Sequence, residues 1–235
     1  MPETFDFKKE QKELIRKELR PVLYEEGFVL SKPTSYVRER NGLLQKFYFK
    51  VQTDRLRPWV SCCPVFDARD IVSFGTDSIV TSDSSSPYNG FGWVTLENWY
   101  IEDPVYKYKT FTGKFIPRFE KLKSSIINGI LPELNAIHSL DEFIALYQDD
   151  GLLFTRKMQY YPKGYYAFIY SVWNSRGRKR MEIIVNEMNS WDLRNLPKVV
   201  REYLETFAGS TLSDDDADTI FDEYCDKVRL ANKLK

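Results

Sequence analysis

One histidine, His138, and three cysteines are all the chain holds of the residues that most often run acid–base, nucleophilic or transition-metal chemistry. A Ser-His-Asp or Cys-His mechanism would have to use His138. The spacing puts that residue at a helix end, where the macrodipole favours an imidazole. A metal site built from several imidazoles is excluded. Cys62 and Cys63 are adjacent, so in a strand they point to opposite faces, and Cys225 is far away in sequence. The C-x2-C spacing of zinc sites is absent, and the three residues read as buried free thiols in a reducing compartment. No G-x-S-x-G elbow and no G-x-x-x-x-G-K-[ST] loop occurs, and Gly90-x-Gly92 lacks the third glycine of a dinucleotide fingerprint. The sequence therefore predicts no cofactor and no metal.

Charge of one sign is also lacking. Lys+Arg and Asp+Glu both number 34, which removes the usual argument for a dedicated nucleic-acid binder. No apolar run approaches the ~18 residues of a transmembrane helix. Met1 to Lys12 is charged, without the apolar core of a signal peptide, and no Asn-x-Ser/Thr acceptor is present. Together these predict a cytoplasmic protein without membrane attachment.

What remains is a chain of 235 residues, long enough to bury a core without staples. Ile15, Leu19, Val22 and Leu23 recur at helical spacing, and Gly27 is placed as a stop, so residues 7–26 read as a helix. Pro21 should kink that helix or mark a new first turn. Residues 35–52 read as a hairpin, because Asn41-Gly42 suits a type I′ turn and Gln45, Phe47 and Phe49 share one face. Trp59 to Phe66 reads as a third strand opened by Pro58, and Trp93 to Trp99 as a returning strand. Residues 81–92 form a loop by composition. Phe115, Phe119, Leu122, Ile126 and Ile130 predict a helix that Pro132 interrupts. Beyond Gly151 the chain reads as helical. Tyr165 to Trp173 is apolar nearly all round and fits a buried helix or a buried strand; helix is favoured, paired through residues 174–177 with the Met181 helix. Strands first and helices last give an α+β class: an N-terminal helix on a small antiparallel sheet over 1–150, then an all-helical part over 151–235.

Leu19-Arg20-Pro21-Val22-Leu23, Gly27-Phe28, Tyr36-x-Arg38 and Gln45-x-Phe47-x-Phe49 together resemble an uncharacterised bacterial family, domain of unknown function 4304. Ile130-Leu131-Pro132, with Ser139-Leu140 and Phe143, resembles the end of that domain. The resemblance covers about residues 8–150 and implies no activity and no catalytic residues. It implies at most the immunity or partner-binding role suspected for some small bacterial domains.

Several clusters are candidates for chemistry. Arg38 is the residue of the hairpin least easily explained by packing; it pairs with a carboxylate or faces a ligand. Asp67 and Asp70 form a carboxylate pair after the third strand, suited to a divalent ion or to a turn. Asp214, Asp216 and Asp218 imitate a calcium loop, but Thr219 and Cys225 occupy positions that need Gly and Glu, so they read as acidic residues at a helix N-terminus. The main surface candidate lies between Gly151 and Met181. It places Tyr161, Tyr165, Arg176, Arg178, Lys179 and Arg180 in a basic, aromatic stretch without an acidic residue. Such a stretch can dock a protein partner or hold phosphates and stack bases. Residues 202–226 carry only acidic charges and could face it. The leading expectation is a non-enzymatic protein-binding module. Nucleic-acid binding at 154–180 is the second, and a metal-dependent hydrolase or nuclease using Asp67 and Asp70 the third.

Overall fold

The computed structural model describes residues 4–53, 55–68, 74–75, 94–95, 102–148, 165–189, 196–208 and 213–234. The loop expected at 81–92 lies outside them. The fold is α+β, with helices before and after a six-stranded sheet. None of the described helices is long and apolar enough to cross a membrane. Two compact units emerge, interleaved along the chain. The first comprises Met1–Arg38, Gln45–Ser61 and Phe74–Ala136; the second comprises Glu39–Leu44, Cys62–Ser73 and Ile137–Lys235.

The first unit opens with α1 (Phe7–Leu14), capped by the Asp6 carboxylate on the Lys9 N–H. The helix runs through a π segment (Ile15–Leu19) into α2 (Arg20–Glu25). Gly27, at φ +81, then lets the chain turn away. A second helical run has the same construction: α3 (Pro104–Thr110), a π segment (Phe111–Phe115), α4 (Ile116–Ser125), a π segment (Ile126–Ile130) and α5 (Leu131–Asn135). Each π segment is followed two residues later by a proline: Pro21, Pro117 and Pro132. The residue before each proline donates back five positions, Arg20 to Ile15, Ile116 to Phe111 and Leu131 to Ile126. Widening the turn gives the ring room it lacks in a regular α-helix. Pro132 therefore does not interrupt its helix, as its position alone predicts; the helix widens ahead of it and continues to Asn135.

Three pairings fix the direction of the two runs. Phe7 packs edge-on against Phe115 at 4.8 Å, Glu18 accepts from Lys123 at 2.6 Å, and Glu26 accepts from Asn135 at 3.0 Å. Rising numbers in both runs make them parallel. Their buried residues (Ile15, Leu19 and Leu23; Phe119, Leu122 and Ile126) and those of the sheet face that carries Gln45, Phe47 and Phe49 are core residues of this unit, and Gln45 Nε2 of that face donates to the Leu134 carbonyl of α5.

The sheet order is β1 (Val29–Lys32), β2 (Ser35–Arg40), β3 (Leu43–Val51), β4 (Arg55–Pro64), β5 (Phe74–Gly75), with β6 (Val94–Thr95) also on β4. The Asn41-Gly42 turn has φ +56 and +75, as a type I′ hairpin requires. β4 starts at Arg55, ahead of the expected start. Pro58 sits inside it, between the Arg55–Leu56 pairing with β6 and the Trp59–Val60 pairing with β5.

In the second unit the described helices are α6 (Leu140–Gln148), α7 (Tyr165–Trp173), α8 (Gly177–Asn189), α9 (Lys198–Ala208) and α10 (Asp214–Ala231). Phe66 packs on Phe168 and Phe221, and the buried Tyr224 hydroxyl donates to the Phe66 carbonyl at 2.9 Å. Arg229 clamps Glu39 with two bonds of 2.7 and 2.9 Å.

Candidate functional site

Tyr165 to Trp173 forms α7, the helical alternative of the sequence reading. It is not buried all round. Phe168, Ile169 and Val172 face the core, whereas Tyr170 is 50% and Trp173 39% exposed. The helix ends where Asn174 turns back and donates its backbone and side-chain N–H groups to the Tyr170 carbonyl. The Trp173 indole N–H donates to Asp141 in the first turn of α6, at 2.7 Å. Ser175 is buried and Arg176 exposed before α8 begins at Gly177.

The first turn of α8 holds Arg178, Lys179 and Arg180, three cations at the end where the macrodipole is positive. Carboxylates from the acidic N-terminus of α10 compensate. Gly177 N–H donates to Asp218 at 3.0 Å, and Arg178 N–H to Asp214 at 3.4 Å. Gly177 has φ +55, and a Cβ there would stand 2.8 Å from the Asp214 carboxylate oxygen. The basic and acidic stretches of the sequence thus meet, at 177–180 and 214–218.

The four cations end in different surroundings. Arg180 is buried, donates from Nε to the Ser175 carbonyl at 2.7 Å and lies over the Phe221 ring at 4.4 Å. Burial, then the charge of Arg176, pulls it below the ordinary guanidinium value, against the opposing pull of Asp218. Arg178 pairs with Glu182 one turn along, at 2.8 Å. Arg176 and Lys179 are exposed and have no carboxylate partner among the described residues. The side chain of Tyr165, at the start of α7, and the whole of Tyr161 lie outside the described residues.

Arg38 is in the first unit and faces inward, 4% exposed. Its guanidinium donates to Gln45 Oε1 at 2.7 Å, to the Glu26 carbonyl at 2.6 Å, to the Glu26 carboxylate at 3.2 Å and to Asn135 Oδ1 at 2.6 Å. It also lies over the Phe28 ring at 4.5 Å. Gln45 Nε2 in turn donates to the Leu134 carbonyl. The carboxylate it finds is Glu26 at the end of α2, twelve residues back, and not one across the hairpin.

Asp67 is 1% exposed, in the turn after β4, and Asp70 lies outside the described residues. No cluster of three or more His, Cys, Asp or Glu suited to a metal occurs among the described residues. His138 is exposed between α5 and α6, where Glu142 accepts from its backbone N–H and Ser139 caps α6. Asp214, Asp215 and Asp216 form the first turn of α10 behind the Ser213 cap, the helix-start reading of the sequence. The three cysteines are buried, and burial pushes the Cys225 thiol up to about 12.

Tyr170 and Trp173 lie within the basic, aromatic stretch of the sequence but are not among the site residues it singles out, and both are exposed. The signal was their three-residue spacing beside the polar Ser171 and Asn174, which an all-apolar reading of the helix passes over. Comparison with protein-family models, with curated proteins and with solved structures finds no match.

Proposed function

We propose that the chain is a non-enzymatic protein-binding module that works through the Tyr170–Lys179 surface of its second unit. The observation that carries this reading is an indole and a phenol ring, 39% and 50% exposed and three residues apart on α7, followed by the exposed Arg176 and Lys179. Aromatic rings and arginine are enriched where interfaces concentrate binding energy. An immunity-type role in a bacterial cytoplasm, blocking a toxin, is its specific version.

Nucleic-acid binding at the same stretch draws on the same two cations. Against it stand Asp141, Glu182 and Asp214, carboxylates that hold Trp173 and Arg178 in the same stretch. The test is affinity capture of the tagged chain in its source cell, followed by purification of the captured protein and titration against variants. Tyr170→Ala and Trp173→Ala are expected to weaken that complex by about tenfold or more. Recovery of no stable partner, or an affinity indifferent to both variants, overturns the reading.

A further inference from the structure

Among the described residues, five carboxylates of α6, α8 and α10 are already engaged. Asp141 accepts the indole N–H at 2.7 Å. Glu142 accepts the His138 backbone N–H at 2.7 Å and faces its imidazole at 3.3 Å. Glu182 holds Arg178, Asp214 accepts the Arg178 amide, and Asp218 accepts the Gly177 amide and stands 3.9 Å from Arg180. The cations are not all engaged. Arg176 and Lys179 remain exposed with no acceptor among the described residues, and Arg176 follows the exposed indole by three residues. What these two cations lack, among the described residues, is a negatively charged partner.

We infer that the partner docks an acidic segment here, with carboxylates on Arg176 and Lys179 and an apolar side chain against Trp173 and Tyr170. The inference rests on the protein-binding reading above and names the chemistry of its partner. Asp141 is an internal precedent, a carboxylate already seated on the Trp173 N–H. A peptide brings a few carboxylates and can pass clear of Asp141, Glu182 and Asp214. A nucleic acid brings a charge at every phosphate and meets those three as repulsion.

The test is fluorescence anisotropy of the full chain, at low salt, with a short fluorescein-labelled peptide of alternating Glu and Phe. A Lys–Phe peptide and a single-stranded oligothymidylate serve as the opposing probes. The acidic peptide is expected to bind best. Its affinity should fall about tenfold or more in Arg176→Glu/Lys179→Glu, as for charges that meet an oppositely charged partner, and should decline with added salt. The milder Arg176→Ala/Lys179→Ala pair should give an intermediate loss, with circular dichroism unchanged in both. An acidic peptide that binds no better than the basic one, or equally to both double variants, overturns the inference. So does an oligothymidylate that binds more tightly and is lost with the same residues. A captured partner weakened by Trp173→Ala but indifferent to Arg176→Glu/Lys179→Glu would leave the docking surface standing and remove only its acidic partner.

Discussion

Replacing Arg38 by Met keeps the bulk of a long side chain and removes the guanidinium that joins α2, β2, β3 and the end of α5. Its loss leaves Gln45 Oε1, in a side chain 0% exposed, and Asn135 Oδ1 without their donor. The Glu26 carboxylate, 35% exposed, can turn to water and contributes less. A buried polar group left unpaired costs about 1–3 kcal/mol, and the half-buried Asn135 costs less than the buried Gln45, so the two together cost about 2–4 kcal/mol. Loss of the contact over Phe28 adds about 0.5–1 kcal/mol. Against a typical total of about 5–15 kcal/mol, Arg38→Met should remove a large share of the stability. The assay is urea denaturation followed by circular dichroism, with the slope compared between variants. Arg16→Met, in the π segment and in an exposed pair with Glu13 of α1, is the control and should give no resolvable change. A loss below about 1 kcal/mol at constant slope would refute the reasoning, since the orphaned acceptors would then have found partners at no cost.

Gly177→Ala should destabilise by about 1–2 kcal/mol, because it adds a Cβ at positive φ and crowds Asp214; a melting temperature equal to or above that of the native chain contradicts this. The Cys225 thiol is raised by burial from 9.0 to about 12, so the folded chain holds that proton more tightly than the unfolded one. Its contribution to stability is complete below about pH 9 and is lost as the pH rises towards 12. Thermal melts across that interval should fall less steeply for Cys225→Ala than for the native chain, and equal slopes would count against the buried thiol. Arg229→Met should cost about 1–3 kcal/mol, since it breaks two charge-assisted bonds to Glu39 in a half-buried pair; a change within error in chemical denaturation would show the pair to be a surface ornament. Trp173→Ala should lower the melting temperature by only a few degrees, because the residue is 39% exposed and loses one bond to Asp141, and a drop of many degrees would assign the ring to the core.

Local features of the fold were legible in the sequence, and long-range ones were not. The hairpin was readable because Asn41-Gly42 demands positive φ and because Gln45, Phe47 and Phe49 alternate with polar neighbours. α7 was readable only as one of two options, since an apolar run of nine residues fits a helix or a strand equally. β1 was missed: Val29–Lys32 is a four-residue edge strand, half exposed and without a clean alternation. The continuation past Pro132 was missed because a lone proline reads as a breaker. The recurring pattern of two apolar residues four apart, then proline two further on (Ile15-Leu19-Pro21, Phe111-Phe115-Pro117, Ile126-Ile130-Pro132), marks the widened turns that admit it. The Arg38 network joins residues up to 109 positions apart, beyond the reach of any local pattern. The meeting of basic and acidic stretches was posed by composition, but only geometry shows that it engages Arg178 and Arg180 and leaves Arg176 and Lys179 to solvent.

Hydrogen exchange of the purified chain, alone and saturated with its captured partner, tests the docking surface most directly. Amides across 170–179 should exchange more slowly in the complex, while those of the Arg38 network stay as they are in the free chain. Protection confined to other segments, with 170–179 exchanging at the free rate, would contradict the account.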